Sequence, residues 1–366
     1  MAKKRILFFV EAMGGGVFTY ITNLANYLTN DFDIYVAYGV RPQTPTNIEN
    51  FFDSKVHLIR VKNFKRQISI SDIRAFYEMK KIAKAVQPDI IHLHSSKAGV
   101  LGRWAFNGKK IPVFYTPHGY SFLMDNISFE KKIFYKSIEK LSTLRNSTTI
   151  SCSYGENNET KKLTSKTLYV DNGINIKNIN KILKGIVPKK GKKFTIFTLG
   201  RISSQKNPEL FNRIAMKFPE VNFVWIGDGA LRNKLKSDNI TITGWLNIGD
   251  ALKKAINYDA FLLTSEWEGL PMALLEAMYL GKPCIVSNVI GNNNVISNNI
   301  NGFLCDNISD YYKAINLVKS GKVPEQLIKN ARESITSHYN STMMAKNYAD
   351  IYRNNLKRTI PKKVND

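Results

Sequence analysis

Short apolar runs separated by longer amphipathic stretches repeat along almost the whole chain. In the first half the runs Arg5–Val10, Asp33–Tyr38, His57–Val61, Ile90–His94, Val113–Thr116, Thr148–Cys152 and Leu168–Val170 read as strands. Brief apolar runs bounded by Gly, Pro, Asn or Asp fit strands buried on both faces of a parallel sheet. Helical spacing over Phe18–Leu28, Ile73–Val86 and Phe129–Arg145 fills gaps between them. The segment Lys184–Lys193, rich in lysine and glycine and containing Pro188, breaks the rhythm and reads as a linker. The pattern then restarts with Phe194–Leu199, Asn222–Ile226, Ile240–Thr243, Ala260–Thr264 and Cys284–Ser287. Strands alternating with helices predict parallel α/β sheets, and the interruption predicts two Rossmann-like domains. Their expected limits are 1–183 and 194–340, joined by a linker at 184–193. A last helix, about Met343–Leu356, and a basic tail make up 341–366, expected to pack back on the first domain. Facing strand ends would form a cleft, the usual place for ligands in such sheets.

The length of 366 residues suits two domains, and a hydrophobic content of 43% supplies two cores. Lysine and arginine outnumber the acids 53 to 29, a formal charge of +24, which predicts an anionic partner: nucleic acid, phosphorylated substrate or anionic lipid. Nucleic acid is not expected, because RNA-recognition, zinc-finger and helix-turn-helix signatures are lacking. Cys152, Cys284 and Cys305 are odd in number and unevenly spaced, which argues against a disulfide framework or structural zinc and suits a reducing, cytoplasmic setting. The apolar run Ile6–Val10 stops at Glu11, too short for a signal segment or a membrane span, so any membrane contact is expected at the surface. Two stretches could make that contact. One carries Lys62, Lys65, Arg66, Arg74, Lys80, Lys81 and Lys84. In the other, Lys131, Lys132, Lys136, Lys140 and Arg145 interleave with Ile133, Phe134, Tyr135, Ile138 and Leu141.

Candidate chemistry concentrates in the run Ser265-Glu266-Trp267-Glu268-Gly269-Leu270-Pro271-Met272-Ala273-Leu274-Leu275-Glu276, which leads to Gly281-Lys282-Pro283. Pro271 fits the first turn of a helix. The amides of Met272 and Ala273 would then offer a phosphate seat. Carboxylates on both sides would repel a phosphate, so Glu268 and Glu276 should instead accept hydrogen bonds from ribose and sugar hydroxyls. Upstream, a strand runs into Gly200-Arg201 with Lys206 close behind, a guanidinium and an ammonium suited to phosphate oxygens. Gly14-Gly15-Gly16 can admit an anion at a helix start, but it lacks the spacing of a dinucleotide loop or of a P-loop, which disfavours NAD and ATP. His92 and His94 share one strand face without an evident third metal ligand, so packing or hydrogen bonding is the expected role. Lys97 lies past the strand end as a candidate ligand for an acceptor phosphate. Pro117 and Gly119 constrain His118 and aim its ring or its carbonyl.

The Glu268–Glu276 stretch resembles the Glu-x7-Glu signature of the retaining glycosyltransferases of family 4, which have the two-domain GT-B fold. The resemblance implies that Glu276 holds the donor ribose and Glu268 contacts the donor sugar. It further implies that Gly200, Arg201 and Lys206 neutralise the diphosphate leaving group, with Leu270, Met272 and Ala273 beside them. Gly15 and Gly16 would face the donor phosphates and acceptor, and His118 would be the active-site histidine near the transferred sugar. Asp89–Arg103 and Tyr115–Tyr120 resemble the subgroup that builds bacterial capsule, exopolysaccharide and O-antigen repeat units. That likeness implies a peripheral enzyme on the cytoplasmic face of the plasma membrane. It would move a hexose or N-acetylhexosamine from a nucleotide sugar, UDP-linked first of all, to a polyprenyl-diphosphate-linked acceptor, with retention and without metal or cofactor. A nucleotide-sugar epimerase or a phosphorylase on the same architecture is the alternative. Asn292, Asn293 and Asn294 stand where the family often carries an acid, so the contacts of that loop stay open.

Overall fold

The computed structural model describes residues 3–65, 67, 69–123, 127–189 and 191–359. Arg66 and the basic tail beyond Thr359 lie outside them. Two compact units organise the chain: the first takes residues up to 171 together with those from 341 onward, and the second takes 172–340.

The first unit is a parallel sheet of seven strands: β1 (Arg5–Met13), β2 (Asp33–Val40), β3 (Val56–Arg60), β4 (Ile90–His94), β5 (Val113–Thr116), β6 (Thr148–Ser151) and β7 (Thr167–Tyr169). Their order is β3-β2-β1-β4-β5-β6-β7. Along β1, Ile6, Phe8 and Val10 enter one core while Leu7 and Phe9 enter the core on the opposite face. A strand loaded on both faces needs helices on both sides. These are α1 (Gly15–Leu28), α2 (Ser71–Val86), α3 (Ser96–Ala105), α4 (Phe129–Ser142) and α5 (Tyr154–Lys161). The C-terminal helix, written α12 (Ser341–Thr359) in chain order, packs beside α1. Its Met344, Ala345, Tyr348, Ala349 and Tyr352 recur on one helical face and complete the core with Phe8 and Tyr20.

The second unit contains α6 (Ile176–Leu183), α7 (Pro208–Lys217), α8 (Ile248–Ala255), α9 (Met272–Tyr279), α10 (Ile308–Lys319) and α11 (Glu325–Ser337). They surround β8 (Thr195–Leu199), β9 (Asn222–Ile226), β10 (Ile240–Ile242), β11 (Ala260–Leu263), β12 (Cys284–Ser287) and β13 (Phe303–Cys305). This sheet is also wholly parallel, ordered β10-β9-β8-β11-β12-β13. Helix α6 packs against α8, and Tyr279 donates to Asn180 Oδ1 at 2.7 Å. The boundary therefore falls at Asp171/Asn172 rather than after residue 183, and the lysine-rich segment 184–193 lies inside the second unit. Ile174 donates its N–H to Tyr339 O at 3.1 Å, so the two stretches by which the chain enters and leaves this unit run side by side.

In each sheet the strand order reverses beside the first strand: between β1 and β4 in one unit, between β8 and β11 in the other. Connections depart to opposite faces there and leave a crevice at the carboxyl ends. The loops after β1, β4, β8 and β11 carry most of the residues singled out above.

Candidate active site

In the second unit, β8 ends at Leu199 and turns through Gly200 into the half-buried Arg201. Backbone pairing of this turn continues past the strand, with Ile202 N–H donating to Asp228 O at 2.9 Å. Gly227, at φ +141°, passes so close that a Cβ there would sit 2.1 Å from Gly200 O, so the tight crossing under Arg201 demands glycine. Lys206 reaches back to Glu268, Nζ to Oε1 at 2.6 Å. Ser265 Oγ donates to the same oxygen at 2.6 Å, and Gln205 Nε2 donates to Glu268 Oε2 at 3.3 Å and to Trp267 O at 3.1 Å. Gly291 lies against Glu268 and Gly269 on another side. Asn292 Nδ2 donates to Ser287 O at 3.0 Å and to Ser287 Oγ at 3.2 Å, and Ser287 Oγ in turn donates to Ser265 O.

Pro271 is the residue before α9 rather than its first residue; its carbonyl accepts from Leu274 and Leu275. Met272 and Ala273 are therefore the opening residues of the helix, where amides lack intrahelical acceptors. Leu270 is fixed just upstream by Asn172 Nδ2, which donates to its carbonyl at 2.7 Å. Every residue of α9 is buried. Glu276 is the helix's sole acid and is 5% exposed, and among the described residues nothing hydrogen-bonds its carboxyl. Burial pushes its pKa up to about 8.

In the first unit, α1 starts at Gly15, a turn earlier than its apolar pattern suggests, so Gly15 and Gly16 are its first residues. Past the end of β5, His118 holds φ +58°, unusual for a bulky side chain. Its Nε2 meets His94 Nδ1 at 3.1 Å, its Nδ1 meets Cys152 Sγ at 3.3 Å, and Tyr20 stands edge-on at 4.6 Å. Burial lowers the His118 pKa to about 3 and holds His92 and His94 well below their usual range, so all three rings are neutral at physiological pH. His92 bonds Tyr352 OH at 2.6 Å and Thr116 Oγ1 at 2.8 Å. The strand histidines thus hydrogen-bond inside the core, and among the described residues no cluster suits a metal ion. Lys97, expected to meet an acceptor phosphate, pairs with Asp72 at 2.8 Å and donates to the Gln67 carbonyl. The turn after His118 is gripped from α5: Gly119 N–H donates to Glu156 Oε1 at 2.6 Å and Cys152 N–H to Oε2 at 2.7 Å.

Sequence reasoning missed Gln205, Ser265 and Glu156 as site residues. Ser265 opens the candidate run without a role of its own, and Glu156 carries only a Ser-x-x-Glu start to α5 that reads as an ordinary cap.

Two doubly wound sheets, with a cation pair, paired acids and a helix start at one switch point, define a glycosyltransferase of the GT-B class. Residues 180–334 match the family "Glycosyl transferases group 1" and residues 14–178 match "Glycosyltransferase Family 4". The chain is 33% identical over 339 residues to the UDP-Gal:α-D-GlcNAc-diphosphoundecaprenol α-1,3-galactosyltransferase of Escherichia coli, covering 83% of this chain and 86% of that protein. It is 26% identical to the lipopolysaccharide 1,6-galactosyltransferase of Salmonella typhimurium, covering 88% and 91%. Among solved structures, sucrose-phosphate synthase from Thermosynechococcus elongatus superposes with a TM-score of 0.80 at 17% identity, covering 97% of this chain and 100% of that one. HepE from Anabaena, bound to UDP and glucose, superposes at 0.76 with 17% identity, covering 96% and 100%. The chain belongs to the group 1 and family 4 glycosyltransferases.

Proposed function

We propose that the protein transfers a hexose, galactose foremost, from its UDP-linked form to a polyprenyl-diphosphate-linked N-acetylhexosamine during assembly of a bacterial surface polysaccharide. The observation that carries this reading is Glu276. A buried carboxyl without a partner is costly unless a ligand completes it. On a helix whose opening amides suit a diphosphate, the fitting ligand is the ribose diol of a nucleotide. The galactosyltransferase relative supports UDP-galactose as donor and a lipid diphosphate as acceptor. None of the relatives named above is an epimerase or a phosphorylase.

In the reaction, the bond from the anomeric carbon to the β-phosphate oxygen breaks while the acceptor hydroxyl oxygen bonds that carbon on the same face. The departing phosphate takes the hydroxyl proton, so the α-configuration is retained. Arg201, Lys206 and the amides of Met272 and Ala273 offset the charge that builds on the diphosphate, without a divalent ion. Lys206 has three donors and can serve a phosphate while keeping Glu268. Glu268 orients the sugar; in the first unit, we assign His118, Gly15 and Gly16 to substrate contact on the strength of the family resemblance alone.

The setting we propose is the cytoplasmic face of the membrane. Among the described residues no helix is long and apolar enough to cross a bilayer. On α4, Phe129 is 73% and Phe134 54% exposed, with Ile133 and Leu141 also exposed among Lys131 and Lys136. Apolar side chains flanked by cations fit the interface of anionic lipid. Lys140 does not join them, because its Nζ donates to Leu163 O at 2.7 Å.

The test is an assay with UDP-[¹⁴C]galactose and a synthetic N-acetylglucosamine-diphospho-lipid, with the product anomer read by NMR. An α-linked disaccharide lipid formed at full rate in EDTA is the expected result. A β-linked product, or activity abolished by EDTA and restored by divalent ions, refutes the mechanism. UDP-galactose left untouched while another nucleotide sugar is consumed corrects the donor.

A further inference from the structure

We propose that Glu156 is the positioning residue for His118: its carboxyl group locks the turn that presents the histidine. The inference rests on the reading of His118 as the active-site histidine.

Glu156 has no exposed surface and stands in the first turn of α5, where Ser153 Oγ accepts its N–H at 3.1 Å. A glutamate at this place in a helix ordinarily reaches back to one backbone amide near the cap, and glutamine does the same. Here one oxygen performs that duty, accepting from Cys152 N at 2.7 Å. The other leaves the helix altogether and accepts from Gly119 N at 2.6 Å, a residue 37 positions earlier in the chain.

The two anchored residues are the ones that frame the histidine. Gly119 follows it directly, and Cys152 presents the sulfur that meets His118 Nδ1 at 3.3 Å. His118 is held at positive φ, and Gly119 at φ +96° continues the same unusual turn. Such a conformation persists only where surrounding structure over-determines it. One carboxyl group thus fixes both the backbone beyond the ring and the partner of the ring. Capping alone would not require burying an acid; burial pushes Glu156 up to about 7, a strain that a merely structural cap could avoid with glutamine.

Glu156→Gln separates the two duties. Glutamine keeps one oxygen acceptor for the helix start but turns an NH₂ group toward the second amide, which loses its acceptor. We expect kcat for galactosyl transfer to fall about 10²-fold, the order of effect of a small misplacement at a reacting centre. The dissociation constant for UDP, bound through the second unit, should not change. The deciding readout is a double-mutant cycle with His118→Ala. In the His118→Ala background, Glu156→Gln should change kcat less than twofold. Equal losses in both backgrounds, or full kcat in Glu156→Gln, would overturn the proposal while leaving His118 in its role. Full turnover in His118→Ala would overturn both readings. Should Glu156→Gln not fold, Glu156→Asp, whose shorter carboxylate cannot span both amides, replaces it in the cycle. Failure of both variants to fold would assign Glu156 to the core and also overturn the proposal.

Discussion

Lys206 Nζ and Glu268 Oε1 stand 2.6 Å apart, both largely buried, although the two residues come from different strand ends of the same sheet. Removing either partner leaves the other charge uncompensated, a loss on the order of 3–5 kcal/mol for a fully buried pair. The single changes Lys206→Met and Glu268→Gln should each destabilise the fold, and the double variant by less than their sum. Urea unfolding of the four proteins checks this. Strict additivity would show that the pair carries no coupling.

Arg201 should matter to the chemistry more than to the fold. Loss of one preorganised donor to a developing charge lowers kcat by roughly 10²–10³-fold. Arg201→Ala is expected to show that loss in a protein that still folds, read by circular dichroism. Arg201→Lys should restore only part of the rate, because a point charge cannot reproduce the guanidinium fork. Turnover at the wild-type level in Arg201→Ala would remove this residue from the mechanism.

Glu276 makes nucleotide binding sensitive to pH. Its folded pKa of about 8 lies above the ordinary carboxyl value. The stability associated with its bound proton is complete below the ordinary value and is lost as pH rises through 8. Ribose hydroxyls are donors and favour the ionised carboxylate, so UDP binding at pH 7 should expel a proton. Affinity should rise between about pH 7 and pH 8.5. Calorimetry in buffers of different ionisation enthalpy reads the proton directly, and Glu276→Gln should abolish its release. Identical proton counts in the two proteins would rule this account out.

Helix α4 should bind anionic vesicles through both of its exposed chemistries. Each cation near such a surface contributes about 1 kcal/mol. Lys131→Glu with Lys136→Glu should release the protein from phosphatidylglycerol vesicles in sedimentation, and Phe129→Ser with Phe134→Ser should do so at any salt concentration. Lys140→Glu should instead lower stability, since that lysine caps the Leu163 carbonyl. Unchanged sedimentation of the first two variants would exclude this surface.

A structural pair offers a control away from the chemistry. Arg103 and Glu139 meet at 2.6 Å in the first unit's core, with Tyr115 OH donating to the other carboxylate oxygen at 2.9 Å. Glu139→Ala strands the buried guanidinium and should cost about 3–5 kcal/mol, read by urea unfolding. A loss under 1 kcal/mol would mean that water replaces the carboxylate.

Much of the architecture is legible because strands buried on both faces announce themselves as apolar runs, as Ile90–His94 and Ala260–Leu263 do. β13 escapes that signal: it has three residues and sits in an asparagine-rich stretch. The unit boundary is not legible in the same way: charge and proline mark a break at residues 184–193, whereas α6 belongs to the second unit through its packing on α8, a tertiary contact. The candidate acids and cations are local in sequence, so their placement after β8 and β11 could be read there. The pairing of Lys97 with Asp72, 25 residues away, could not. Nor could the carboxyl of Glu156 be seen to leave its own helix, because a Ser-x-x-Glu start looks the same whether it serves a cap or a distant turn.

The last helix has a consequence for how the chain comes into being. Tyr348 meets Tyr20 across 328 residues at 2.6 Å, and Tyr352 supports His92 from the same helix. During vectorial synthesis the first sheet emerges early but lacks part of its core until the entire second unit has been made. The usual order, in which an N-terminal domain folds first and the next one follows, is thereby inverted in its final step. The second unit can close on itself, while the nascent first unit must wait with apolar surface uncovered. Chaperone engagement should be longest for the half of the molecule that leaves the ribosome first.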